Sequence, residues 1–179
     1  MVTLFTLVIG GAASGKSEYA ENLILRSGPP PHFYIATMEP FDDECRARIT
    51  RHRALRARKS FETVECYTGL EHLRLPDRGA VLLECVGNLA ANELYSPRGA
   101  GAGAEAAILR GVNSVLSQCR ELVVVSNDVF SGGCDYEGDT LRYLRVLAAV
   151  NRALAARAGR VAEIVCGQAV YYKGEGPMR

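Results

Sequence analysis

The stretch "GGAASGKS", Gly10 to Ser17, decides how the rest of the chain is read. It matches Gly-x4-Gly-Lys-Ser in full. It follows the apolar run "TLFTLVI" and precedes "EYAENLIL". In a loop of this kind successive backbone N–H groups converge on phosphate oxygens. Glycine supplies the unusual backbone angles, and the helix that follows adds partial positive charge at its N-terminus. The pattern therefore assigns phosphate contacts to Gly10, Gly11, Ala12, Ala13, Ser14, Gly15, Lys16 and Ser17. Lys16 is expected to reach the β/γ-phosphates of a nucleotide, and the Ser17 hydroxyl to ligate Mg2+. An ordinary glycine-rich turn would not need a strand before it, a helix after it and the complete spacing between.

Working outward, residues 3–9 read as a fully buried strand. The run has no charged lead and no small-residue cleavage site, so it reads as a strand and not as a signal peptide. A helix is expected from about Lys16 to Arg26, with Ala20, Leu23 and Ile24 on one face and Glu18 and Glu21 near its N-terminus. "SGPPP" breaks it. Strand 32–37, helix 40–59 (Asp42 or Asp43 near its start) and strands 61–66 and 80–86 follow. "RGAGAGAE", 98–105, reads as a flexible loop. A helix over 106–118, a strand over 121–127, a Gly-containing loop and a helix over 139–158 come next, and two strands around "VAEIVC" and "AVYYK" complete the series. Alternating strands and helices imply right-handed crossovers and a mostly parallel α/β sheet flanked by helices. The expectation is one P-loop nucleotide-binding domain over 1–179, with its chemistry at the C-terminal ends of the strands.

Bulk properties narrow the function. The chain has 179 residues, 48% of them hydrophobic and 23% charged, enough for a substantial core. A net charge of +1 argues against a general nucleic-acid or anionic-membrane binder. No run approaches the length of a membrane span. The six cysteines contain no CxxC pair and read as reduced thiols of a cytoplasmic protein.

Two further features carry chemistry. Glu84 closes the apolar run "AVLLE", where P-loop proteins place the acid of the metal shell. Glu is one methylene longer than the usual Asp. Segment 46–59 carries Arg46, Arg48, Arg51, His52, Arg53, Arg56, Arg58 and Lys59. Such a run is usually a solvated helix face, but this one follows the second strand, near the polyphosphate position, and Arg suits bidentate phosphate contacts. His52 shares a helix face with Glu44 and Arg48. Neutral imidazole can attack phosphorus, and flanking guanidinium groups would keep it neutral. From spacing alone, a structural or exposed histidine remains the alternative.

The segments "GGAASGKSEYAE", "FYIATMEPFDDECRARITRHR", "FETVEC", "VLLECVGNLAANELY" and "LVVVSNDV" occur in an order and at spacings that resemble the bifunctional adenosylcobinamide kinase / adenosylcobinamide-phosphate guanylyltransferase family. The resemblance covers roughly residues 4–128. It implies a RecA-like P-loop fold, a homotrimer, and the use of GTP, ATP and Mg2+. It implies phosphorylation of a corrinoid substrate, adenosylcobinamide, followed by GMP transfer through a covalent histidine–GMP intermediate. The family's nucleophile falls on His52, with Lys16 as its catalytic partner in the loop. Its nucleotide contacts fall on Gly10 to Ser17, on Thr37, Met38 and Glu39, on Arg53, Ala54, Leu55 and Arg56, on Glu65 and on Glu84, and its metal contacts on Ser17 and Glu84. The C-terminal third departs: Asp128 replaces a Glu, and Leu147 and Ala148 stand where the family's helix has Gly. A P-loop kinase for another hydroxyl compound, or a nucleotide-binding paralogue without corrinoid activity, are the alternative readings.

Overall fold

The computed structural model describes residues 3–41, 43–57, 59–130 and 136–176, with Arg48, His52, Leu55, Arg56 and Ala57 described by backbone alone. Asp42, Arg58, Cys134 and part of the expected Gly-containing loop lie outside the described residues.

The elements run β1 (Leu4–Gly10), α1 (Lys16–Leu25), β2 (His32–Ala36), α2 (Asp43–Ala57), β3 (Glu62–Glu65), β4 (Ala80–Leu83), α3 (Val86–Tyr95), α4 (Ala104–Gln118), β5 (Glu121–Asn127), α5 (Gly138–Arg157), β6 (Arg160–Val165) and β7 (Gln168–Lys173). One sheet holds all seven strands in the order β3-β2-β4-β5-β1-β6-β7. Every pairing is parallel except β6–β7, which closes as an antiparallel hairpin. The mostly parallel α/β architecture expected from the alternation is the one observed.

Strand alternation divides the core into two layers. On one face Val8, Val123, Val125, Leu82 and Ile164 meet Ala20 and Ile24 of α1. On the other, Phe5, Leu7, Val81, Leu83, Leu122 and Val124 meet Leu89 of α3, Ile108 and Val112 of α4, and Leu147 and Val150 of α5. Both faces are covered, so the central strands read as continuous apolar runs.

Three expectations need correction. The strand expected over 80–86 ends at Leu83, because Cys85 caps a helix: its sulfur accepts from the Asn88 backbone N–H at 3.4 Å, and α3 begins at Val86. The segment 98–105 is not a flexible loop. It contains a 3-10 turn over Gly101–Gly103 and runs into α4 at Ala104. Glu93, 2% exposed, holds that turn, its two oxygens accepting from Gly69 N at 2.7 Å and Ala100 N at 2.9 Å. The third concerns the helix expected over 40–59: α2 runs Asp43–Ala57, with Pro40 and Phe41 outside it. None of its described side chains is buried.

Candidate active site

The loop after β1 turns on backbone angles that side chains resist. Ala13 has φ 56° and Gly15 φ 91°. A Cβ on Gly15 would also lie 3.3 Å from Gly167 Cα, in the β6–β7 turn. That turn braces the loop, with Gly167 N donating to Ser14 O at 2.9 Å. Lys16 Nζ lies across the loop, 2.9 Å from Gly11 O.

Parallel register brings three strand ends to this place. Gly10 pairs with Asn127, and Leu83 pairs with Val124, so Glu84 stands beside the end of β5. Together they wall a cavity of about 300 Å3 lined by Ala12, Ala13, Lys16, Ser17, Met38, Glu84, Cys85, Asn88, Val125 and Asn127. Lys16, Ser17 and Glu84, singled out separately in the sequence, are thus neighbours on one cavity. The Glu84 carboxylate is held at both oxygens. Oε1 accepts from the Tyr34 hydroxyl at 3.1 Å and Oε2 from Thr37 N at 3.0 Å. Tyr34 itself is buried, edge-on to Phe61. Burial pushes the Cys85 thiol above its ordinary value, and the Glu84 charge adds to this, so Cys85 stays protonated.

The other expected contacts are distributed around the cavity. Thr37 is fully buried; its hydroxyl donates to Cys85 O at 3.0 Å, so it positions the segment that follows. Of that segment, Met38 lines the phosphate-loop cavity and Pro40 lines a second one. Glu39 points elsewhere, with Oε1 3.6 Å from an Arg98 guanidinium nitrogen. Asn92, buried in α3, ties the two sides together: its Nδ2 donates to Thr37 O at 2.8 Å and to Tyr67 O at 3.0 Å.

The second cavity, about 340 Å3, lies between α2 and the end of β3 and is lined by Pro40, Arg46, Ile49, Thr50, Arg53, Glu65 and Tyr67. Arg53 pairs with Glu65, whose other oxygen accepts from the Tyr67 hydroxyl at 2.8 Å. The basic run is therefore partly committed within the chain. Arg53 goes to Glu65, Arg46 to Asp43 and Lys59 to Glu21. Ala54 is exposed on α2; the His52, Leu55 and Arg56 side chains lie outside the described residues. A third cleft, about 380 Å3, lies between α5 and the β6–β7 hairpin, and Ala148, one of the C-terminal departures, lines it.

Sequence reading missed Cys85, Asn88 and Asn127 as cavity-lining groups. For Asn127 a signal existed: it ends the buried run "LVVVSN" as Glu84 ends "AVLLE". Among the described residues no cluster of three or more His, Cys, Asp or Glu could hold a metal, and no helix is long and apolar enough to cross a membrane.

Residues 6–171 match the family described as cobinamide kinase / cobinamide phosphate guanyltransferase. The chain belongs to that family. It is 35% identical, over 95% of its length and all of the relative's, to the bifunctional adenosylcobalamin biosynthesis protein CobU of Salmonella typhimurium. It is 36% identical, over the same shares, to the protein of that name from Escherichia coli. Among solved structures, the ATPase domain of G40P superposes with a TM-score of 0.55 at 9% identity, covering 97% of this chain and 78% of that one. That likeness concerns the fold alone, and it is RecA-like. As a member of the cobinamide kinase / cobinamide phosphate guanyltransferase family the chain is an enzyme, and family and fold together imply nucleotide use. The match reaches residue 171, so it spans the C-terminal third that departs from the motif pattern.

Proposed function

We propose that this chain phosphorylates the free hydroxyl of a cobinamide and then transfers GMP from GTP to the new phosphate, with His52 carrying the GMP between the two. The observation that carries the reading is the adjacency of two cavities. The cavity of Lys16, Ser17 and Glu84 is lined by Met38, and that of Arg53, Glu65 and Tyr67 by Pro40, two residues on, so both meet the same short segment. A nucleotide laid across that segment puts its polyphosphate on the loop and its base at Glu65. The two carboxylate oxygens of Glu65 match the N1–H and N2–H2 donors of guanine.

In the guanylyl step a ring nitrogen of His52 bonds to the α-phosphorus. The bond from that phosphorus to the bridging oxygen breaks, pyrophosphate leaves against Lys16, and the other ring nitrogen gives up its proton. An oxygen of the cobinamide phosphate then attacks the same phosphorus. The P–N bond breaks, and the imidazole regains a proton. One difficult displacement becomes two easier ones. Ser17 and Glu84 present hard oxygen donors beside the loop, a set that fits Mg2+ bound with substrate phosphates. Such an ion would offset charge on the phosphates. ATP or GTP serves as the donor of the kinase step.

The test is incubation with Mg2+ and GTP labelled at the α-phosphate, followed by denaturing separation. A label that survives alkali, is lost in acid and is absent from His52→Asn is expected. If the unaltered protein carries no such label, the histidine route is wrong, and turnover of cobinamide without it leaves a kinase only.

A further inference from the structure

We propose that Asn127 is a catalytic residue of the phosphate-loop cavity, its carboxamide contacting the terminal phosphate of a bound nucleoside triphosphate. The inference rests on the nucleotide reading above and adds a contact which that reading does not contain. It begins from strand order. β5 lies between β1, which delivers the loop, and β4, which delivers Glu84. The last residue of β5 pairs with Gly10, the first residue of the loop. Asn127 therefore lines the cavity between Lys16 on one side and Glu84 on the other. A phosphate gripped by the loop and facing Glu84 passes the end of β5.

The surroundings hold this residue in place without using its bonding capacity. Asn151 of α5, 8% exposed, clamps the strand end: its Oδ1 accepts from the Ser126 hydroxyl at 2.6 Å, and its Nδ2 reaches Asn127 O at 3.4 Å. Among the described residues the Asn127 side chain has one hydrogen-bond partner, the Cys85 sulfur, 3.6 Å from Nδ2. Sulfur is a weak acceptor, and this thiol is protonated. A strong amide donor is thus parked on a poor acceptor, and a phosphoryl oxygen would replace that bond at a gain. Space is kept open by Gly87 at the start of α3. A Cβ there would lie 2.7 Å from Asn127 Nδ2 and 3.0 Å from the Tyr143 hydroxyl. Chemistry also favours an amide over a carboxylate here. Glu84 already supplies one negative charge, and a second would repel the phosphates that Lys16 attracts.

The experiment compares affinities for GDP and for the β,γ-imido analogue of GTP, both with Mg2+, by calorimetry. In Asn127→Ala the imido analogue is expected to bind about tenfold more weakly, the loss of one charge-assisted hydrogen bond. GDP affinity should stay within about twofold on the same reasoning. The isosteric Asn127→Asp should lose still more for the triphosphate, because it removes the donor and adds charge. A thermal melt establishes that each variant is folded, and if one is not, the other decides. Equal losses for both nucleotides, or no loss for either, overturn the proposal. Failure of the proposed function appears separately, as no phosphorylation of cobinamide by the unaltered protein, and leaves these binding ratios readable.

Discussion

The cavity beside Lys16 is walled by groups that bond one another across the sheet; the cleft beside Arg53 is walled on one side by a helix whose described side chains are all at least partly exposed. In the first, Glu84 is fixed at both oxygens by Tyr34 and Thr37, and Thr37 by Cys85 and Asn92. In the second, the order comes from two exposed ion pairs, Arg53–Glu65 and Arg46–Asp43, and from the Tyr67 and Thr50 hydroxyls. Charges held in a buried frame cost little reorganisation when a ligand arrives. Charges on an exposed helix are screened and cost side-chain entropy to align. On the proposed function, the first region would grip the phosphates that every nucleotide shares, and the second would choose among nucleotides.

The contrast can be broken at its strongest point. Lys16→Ala should weaken nucleotide binding about 100-fold in calorimetry, the loss of charge-assisted bonds to phosphate. Its thermal midpoint should barely move, because among the described residues this side chain bonds only the loop carbonyl of Gly11. Unchanged affinity would show that the loop does not hold the phosphates. Glu84→Gln should lower the Mg2+-dependent rate about tenfold or more, with metal-free nucleotide binding nearly unchanged. An equal fall in both would place Glu84 against the nucleotide itself.

The frame predicts a stability effect as well. Asn92→Ala removes one buried and one partly buried hydrogen bond and leaves two carbonyls without this donor. It should cost about 2 kcal/mol in denaturant unfolding. Arg53→Ala should cost about 0.5 kcal/mol or less, since its pair with Glu65 is exposed. Its larger effect should be on the preference for GTP over ATP, measured as a ratio of Kd values. If Arg53→Ala destabilised the fold as much as Asn92→Ala, the contrast between the two regions would be false.

What the sequence disclosed follows the same division. The loop, the strands either side of it and the position of Glu84 were legible because long apolar runs and a complete glycine pattern are local signals. The start of α3 was misplaced because "AVLLECV" reads as one apolar run, and a cysteine sulfur is an unusual helix cap. The Gly/Ala-rich segment 98–105 looked mobile by composition. Its order comes from Glu93, whose partners Gly69 and Ala100 lie on opposite sides of it along the chain. Asn127 fitted the family's motif and ended an apolar run, but its place between the loop and Glu84 depends on strand order, which no local pattern reveals.

The placement of β1 has a consequence for how the molecule is made. β1 is flanked by β5 and β6, both far later in the sequence, and the loop it carries is bonded to Gly167 of the β6–β7 turn. A ribosome releasing this protein therefore exposes the apolar run Leu4–Ile9 long before either neighbouring strand exists. Pairings so distant in sequence are slow to form. The nascent chain carries a sticky, unpaired segment until about residue 127 has emerged, and its nucleotide loop is completed only with the closing hairpin.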